Sequence, residues 1–542
     1  MSFAFRVLIS DDMSSHAAEV LERCDGIEVD VRGGLSAADL LSTIGEYHGL
    51  LVWSRTKVTA EVIAAAGKLE VIGRAGIGVD NIDVSAASRR GIIVENAPSG
   101  NAVTTAEHAI CLLLSLVRNI PQATASLKAG RWEKNKLSGH ELLGKTLGVI
   151  GLGNIGRIVA DRARGLKMRV VGHDPFIGKD AAARLGVELV TLDVLFATSD
   201  FITIHTPLTS ETRGLIDQHA LAKMKPTALL VNAARGGIVD ESALVRALEA
   251  GKIAGVALDV FETEPPPPNH PLVAHPNVVC TPHLGASTEE AQAKVAIEVA
   301  EQMVAYVERR EIRNAINVAS VSGEVRTQLS PWQELSHQLG ALVGQLAKAE
   351  AKDAPFIDSL TVEVIGEASE MTGGTTACTS SVLVGLLRMF MDLPVNDVNS
   401  FIIAGDRGLE VSEVKRHRDR DLASAVAVTA RRGESMHCVK GTLYHIGDRV
   451  EARLVQIDDF IVEAPPRGVL LVVRNDDQPG VIGAVGTLLG KRGINVNSLH
   501  VGTGTTPGVA MALWNLDSEL DGSVMEEIRA LDLIQSANMV EL

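Results

Sequence analysis

Thr146-Leu-Gly-Val-Ile-Gly-Leu-Gly-Asn-Ile-Gly156, TLGVIGLGNIG, decides the fold. A short β-rich run, TLGVI, ends on a Gly-x-Gly-x-x-Gly turn, and the following RIVADRARGL is helical in character. The stretch therefore reads as the strand, turn and helix of a dinucleotide-binding βαβ unit. Each glycine has its own task. Gly151 makes the tight turn, Gly153 lets a pyrophosphate come up against the backbone, and Gly156 lets helix and strand pack closely, with the helix N-terminus facing the negative charge. Alone, the pattern also fits an ordinary glycine-rich turn. The next strand-like run, RVVGHDP, adds Asp174, eighteen residues after Gly156. A carboxylate there accepts hydrogen bonds from ribose hydroxyls and repels a 2′-phosphate, so the cofactor expected is NAD and not NADP.

Working outward, residues 1–100 alternate β-rich runs (FRVLIS, GLLVWS, LEVIGRAG, IIVENAP) with alanine-rich helical stretches, the pattern of βαβ units around a parallel sheet. Residues 102–120 have helical length and a continuous apolar face, and a second α/β series runs from GKTLGVI to about 283. The segment from Ser287 opens on Ser287-Thr-Glu-Glu290, read as a capping box, and is expected to pack back on the first domain. From 319 to 463 come a Gly/Thr/Ser-rich patch, MTGGTTACTSS, and long strand-like runs, closed by the Pro465-Pro466 linker. Residues 468–542 read as a small α+β module. The expected class is α/β: two Rossmann-like doubly wound domains, 1–100 with 286–318 and 101–285, followed by α+β blocks at 319–463 and 468–542.

Bulk properties narrow the function. A chain of 542 residues holds several hydrophobic cores, and a net charge of −16 argues against nucleic acid or an anionic membrane as partner. Five widely spaced cysteines without a Cys-x-x-Cys pair argue against a disulfide framework or a zinc site and fit a reducing cytoplasm. The start, MSFAFRVLISDD, meets two aspartates before a signal-peptide core could form, so no targeting segment is expected.

Three further stretches of the second series place a functional residue after an apolar run: ALLVNAARGG with Arg235, VALDVFETEP with Glu264, and VVCTPHLGAST with His283. In an open α/β sheet ligands bind outside the carboxyl ends of the strands, so a guanidinium, a carboxylate and an imidazole converge there. Taken singly, His283 reads as a polar residue at a strand end.

Together, GRAGIGVDNID (73–83), GLGNIG, HTPLTSETRGLID (205–217), NAARGGIVDE (232–241), ALDVFETEP (257–265) and PHLGAST (282–288) resemble the D-isomer-specific 2-hydroxyacid dehydrogenases, and over the whole length their long phosphoglycerate dehydrogenase form. The resemblance implies NAD-dependent oxidation of D-3-phosphoglycerate to 3-phosphohydroxypyruvate, the first step of phosphorylated serine biosynthesis. Arg235 would hold the substrate carboxylate, His283 take the hydroxyl proton and Glu264 brace the imidazole. Asn154 and Ile155 would lie over the pyrophosphate, with Thr206, Ala233, Asp259 and Gly285 along the cofactor. Arg55, Arg74 and the backbone from Gly76 would meet the substrate, although Trp53 stands where some relatives carry an arginine. Trp132 and Lys134 resemble a segment exchanged across a dimer. Block 319–463 resembles an intervening domain, and 468–542 an ACT domain whose Asn475, Asp477 and Asn495 would hold L-serine. A homo-oligomer, dimer or tetramer, is expected, with no metal. The alternatives are a dehydrogenase for D-lactate, glycerate or 2-hydroxyglutarate, and a non-enzymatic NAD-sensing protein.

Overall fold

The computed structural model describes residues 5–318, 323–349, 357–391, 394–419, 422–447 and 449–542. Strands β1 (Phe5–Ile9), β2 (Ile27–Val31), β3 (Gly49–Val52), β4 (Val71–Arg74) and β5 (Ile93–Asn96) form a parallel sheet in the order β2-β1-β3-β4-β5. β3 is buried along its whole length, as expected of a parallel strand covered on both faces. The helix Glu289–Arg309 lies on this sheet, with Val295, Ala296, Val299 and Met303 packed against Val7, Ile9, Leu51 and Val71. The approach is close. A Cβ on Gly73 would sit 2.5 Å from Val299 Cγ2.

That helix starts one residue later than the Ser287–Glu290 capping box predicts. Ser287 N–H donates to Leu284 O at 2.9 Å in a turn, so Thr288 is the first extended residue, and its side chain accepts from Ala291 N–H at 3.2 Å. The N-cap is Thr288.

The second sheet comprises β6 (Thr146–Ile150), β7 (Arg169–His173), β8 (Glu188–Leu189), β9 (Phe201–Ile204), β10 (Leu229–Asn232), β11 (Gly255–Leu258) and β12 (Val278–Cys280), in the order β12-β11-β10-β9-β6-β7-β8. All its pairings are parallel. The order reverses between β6 and β9, the switch point where such sheets open a ligand crevice, and the glycine turn 151–156 follows β6 there. The helix Ala102–Val117 packs Leu112, Leu113 and Leu116 on Leu147, Val149, Leu229 and Val231.

The third sheet is mixed: β13 (Ser359–Ile365), β14 (Glu410–Arg416), β15 (Ala425–Arg432), β16 (Ser435–Ile446), β17 (Arg449–Ile457) and β18 (Phe460–Ala464), in the order β14-β13-β15-β16-β17-β18. Only β13 and β14 run parallel. The patch MTGGTTACTSS leads into the helix Gly374–Arg388, which pairs with the helix Gly323–Ala349. Glycine permits the contact, since a Cβ on Gly340 would lie 2.0 Å from Val382 O. In the basic run 413–421, Arg416 and His417 are exposed and pair with Glu363 and Glu370, while residues 420–421 lie outside the described ones.

The last module joins β19 (Val469–Asp476), β20 (Val496–Thr503), β21 (Val509–Leu516) and β22 (Ile534–Glu541) into an antiparallel sheet in the order β20-β21-β19-β22, with helices Val481–Lys491 and Gly522–Arg529. It is not a bead on a string. Leu470, Val472, Met511, Leu513 and Val540 belong to the same buried core as Leu454 and Phe460 of the third sheet. Among the described residues no single helix is long and apolar enough to cross a membrane.

One buried carboxyl marks the junction of sheet and returning chain. Glu95 on β5 is fully buried, Oε1 accepts Arg313 N–H at 2.9 Å, and Oε2 has no hydrogen-bond partner. Burial, opposed by Arg313, pushes its pKa up from an ordinary 4.5 to about 7. Between these values the folded chain binds more protons than the unfolded one, so stability falls as pH rises through that window, by about 3 kcal/mol in all. Glu95→Gln removes this dependence. Its thermal midpoint should exceed the wild type's at about pH 8 and converge with it near about pH 5, and parallel curves would refute the assignment.

Candidate active site

The glycine turn after β6 has the shape its sequence requires. Gly151 has φ +88°, and a Cβ there would sit 2.6 Å from His205 O; a Cβ on Gly156 would lie 1.9 Å from Gly151 O. Gly153 is different. Nothing lies within 4 Å of its Cβ position, which leaves open space before the helix Asn154–Gly165. Asp174 Oδ2 accepts Leu152 N–H and Oδ1 accepts Phe176 N–H, both at 2.8 Å, tying the acid to the turn and leaving a lone pair on each oxygen. Thr206 Oγ1 is buried without a partner, and its Cγ2 lies 2.9 Å from the Cβ position of Gly151. Open space over a glycine, an orphaned hydroxyl and a carboxylate with spare lone pairs suit a dinucleotide. Asn154 Oδ1 accepts from Arg157, Ile155 is half-buried at the start of the same helix, and Ala233 is buried just after β10.

Beyond β10, buried Asn232 shapes the Arg235 turn: Oδ1 accepts Ala234 N–H at 3.1 Å and Nδ2 donates to Arg235 O at 3.0 Å. Arg235 then reaches across to the first sheet's domain, where Nε donates to Asp80 Oδ2 at 2.8 Å. Glycine makes room for two guanidinium groups. A Cβ on Gly78 would be 1.6 Å from Arg235 Nη2, and one on Gly76 would be 1.7 Å from Arg74 Nη1. Arg74 is largely buried, and its Nε has no partner. Burial, then the nearby Arg235, lower its pKa to about 10, so it stays charged at neutral pH. Two cations held near each other, one short of acceptors, form a site for an anion.

After β11 and β12 the remaining groups meet. His283 Nδ1 lies 2.7 Å from Glu264 Oε2, while Glu264 Oε1 accepts Phe261 N–H at 3.0 Å. Burial works to raise the Glu264 carboxyl, but His283 and the Phe261 amide outweigh it and hold it below the usual range. In a neutral ring, the carboxylate at Nδ1 favours the tautomer protonated there, which leaves the Nε2 lone pair free. His283 is about half exposed, and Nε2 makes no hydrogen bond among the described residues. The loop is strained. His283 has φ +55°, a left-handed backbone costing about 1–2 kcal/mol. Asp259 anchors it: its backbone oxygen accepts His283 N–H at 2.9 Å, Oδ1 accepts Leu284 N–H at 2.7 Å, and Oδ2 accepts Gly285 N–H at 2.8 Å. The Arg235 and Glu264 loops touch, because a Cβ on Gly236 would lie 1.8 Å from Phe261 O.

Other expected residues stand apart. Arg55 is exposed and pairs with Asp12 at 3.4 Å. Trp132 is 82% exposed, and Lys134 begins a short turn of 3-10 helix near it. Asn475, with Oδ1 buried and unpartnered, and Asp477 lie at the end of β19; Asn495 precedes β20 at the opposite end of the module. Val496 and Val469 both face Leu516, so six strand residues, roughly 20 Å, separate Asn495 from Asn475. Sequence reasoning missed Asp80, Asn232, Thr281 and His108. Asp80, Asn232 and Thr281 lay inside or next to the quoted motifs, whereas His108 was a lone histidine on a helix. No group of three or more His, Cys, Asp or Glu that could hold a metal occurs among the described residues.

Comparison with known proteins gives the family of the chain. The chain matches the D-isomer specific 2-hydroxyacid dehydrogenase NAD binding domain over residues 110–285, the D-3-phosphoglycerate dehydrogenase intervening domain over 328–458, and the ACT domain over 469–533. It is 41% identical over 537 residues to the D-3-phosphoglycerate dehydrogenase of Synechocystis sp., covering 99% of this chain and 95% of that protein. It is likewise 41% identical to that of Archaeoglobus fulgidus, covering 99% and 100%. Among solved structures it resembles the TT0316 protein from Thermus thermophilus, at 37% identity and TM-score 0.53 over 57% of this chain and 99% of that one. The apo-structure of D-lactate dehydrogenase from Escherichia coli aligns at 27% identity and TM-score 0.51, over 57% and 99%.

Proposed function

This chain belongs to the D-isomer-specific 2-hydroxyacid dehydrogenase family in its long phosphoglycerate dehydrogenase form, and from that premise we propose that it oxidises D-3-phosphoglycerate to 3-phosphohydroxypyruvate with NAD. The observation that carries the reading is the 2.7 Å contact between His283 Nδ1 and Glu264, which leaves Nε2 open as a base. Arg235 binds the C1 carboxylate with its planar guanidinium, and Arg74 supplies the second cation for a substrate with two anionic groups. His283 Nε2 takes the proton of the C2 hydroxyl, and Glu264 stabilises the imidazolium that forms. The turn 151–156, Asp174 and Thr206 would hold NAD, which would supply the acceptor for the hydride leaving C2.

Feedback by L-serine through the ACT domain completes the reading. One copy cannot gather Asn475, Asp477 and Asn495, so a complete site needs Asn495 from a second copy. Leu127, Trp132 and Leu143, at 60%, 82% and 68% exposure, are large apolar side chains left uncovered on the segment after the Ala102–Val117 helix, which suits a homo-oligomer. The five free cysteines suit the cytoplasm.

A hydroxy-acid panel tests this: 3-phosphoglycerate, D-lactate, D-glycerate and 2-hydroxyglutarate with NAD, in both directions, with and without L-serine. The phosphorylated acid should lead by about 10²-fold in kcat/KM, the worth of a buried anion contact. Equal turnover of D-glycerate would defeat the substrate assignment, and no turnover at all would favour an NAD sensor. Serine should inhibit the wild type and leave Asp477→Ala unaffected; an equally inhibited variant would defeat the effector site.

A further inference from the structure

One titratable side chain outside these roles touches the machinery. We propose that His108, on the helix Ala102–Val117, is a positioning residue that holds the His283 loop in its reactive shape through Asp259. The inference rests on the dehydrogenase reading of that loop.

His108 Nε2 lies 3.2 Å from Asp259 Oδ1 and 3.2 Å from Thr281 Oγ1. Thr281 donates its hydroxyl proton to Asp259 Oδ1 at 2.6 Å, so its oxygen is left to accept. The Nε2–H of His108 therefore goes to Thr281 Oγ1, with Asp259 Oδ1 close enough to feel the same ring nitrogen. Asp259 needs it. Its side chain has no exposed surface, and a carboxylate so placed is costly unless its lone pairs are filled. Thr281, Leu284 N–H and His108 crowd onto Oδ1, while Oδ2 takes Gly285 N–H. Burial works to raise this carboxyl, and His108, Thr281 and Leu284 together hold it below its usual range.

Leu284 and Gly285 directly follow His283. A left-handed backbone at a residue with a side chain persists only where its surroundings over-determine it, and here the determinants run from the rigid helix through His108 and Asp259 into the loop. His108 answers to no other group in this way: its neighbour Glu107 turns to Arg162 at 3.7 Å. The ring that faces Glu264 is thus aimed from behind.

The test uses His108→Leu and His108→Gln in the full chain. The Leu variant should lose about 10- to 100-fold in kcat, the scale of a misplaced catalytic group, with KM for 3-phosphoglycerate within about twofold of the wild type. The Gln variant, which keeps an N–H donor, should recover most of it. Amide hydrogen exchange at Leu284 and Gly285 should quicken in the Leu variant and return toward the wild-type rate with Gln. Wild-type kcat and exchange in the Leu variant would overturn the inference, as would a Gln variant equally impaired while its thermal midpoint matches the wild type. A wild-type protein that turned over no 2-hydroxy acid would instead defeat the dehydrogenase reading, and the exchange rates would still decide whether His108 positions the loop.

Discussion

His283→Asn should lower kcat by about 10²- to 10⁴-fold while NAD binding, followed by fluorescence titration of NADH, stays as it was. Asparagine is the informative replacement because it changes little else. It tolerates the φ of +55° that His283 adopts, since Asn is among the residues most often found in the left-handed region. Its Nδ2 can also donate to Glu264 where Nδ1 does now. What disappears is Nε2, the ring nitrogen that makes no hydrogen bond among the described residues. A variant with wild-type turnover would show that some other group takes the hydroxyl proton, and the assignment of the base would be wrong.

Arg235→Lys should cost about 10- to 10²-fold in kcat/KM for 3-phosphoglycerate, the worth of one charge-assisted hydrogen bond at about 1.5–3 kcal/mol. Charge is conserved in this variant, so the loss reads geometry. Arg235 uses Nε for Asp80 and Nη1 for Ala234 O, and still has N–H groups to offer a carboxylate. A lysine ammonium is a single point: it can turn to Asp80 or to the substrate, and it cannot present two parallel donors. Restoration of normal kcat/KM by lysine would mean that Arg235 acts only as a positive charge.

The parts of this site that were legible from sequence are those written in local chemistry. Gly151, Gly153 and Gly156 announce a backbone that must turn and be approached closely, and Asp174 follows at the distance that one helix and one strand impose. The parts that were not legible are contacts between distant segments. Asp80 and Arg235 are separated by 155 residues and meet only when two domains face each other. His108 looks like any half-buried histidine until Asp259 arrives from another strand. Thr288 displaced Ser287 as N-cap because the turn before it, fixed by Leu284, uses one more residue than the local pattern foretells. The Gly340–Val382 contact hid for a related reason: Gly340 looks like any small residue of its own helix until Val382 O arrives from another.

The core common to the third sheet and the last module has a practical meaning for anyone dissecting this protein. Leu470, Val472, Met511, Leu513 and Val540 form one side of a seam whose other side is Leu454 and Phe460. Cutting the chain at Pro466 would not detach a passive sensor. It would tear open a hydrophobic wall, and the amputated protein would clump for reasons unrelated to serine, so deafness to an inhibitor is better engineered by point changes than with scissors.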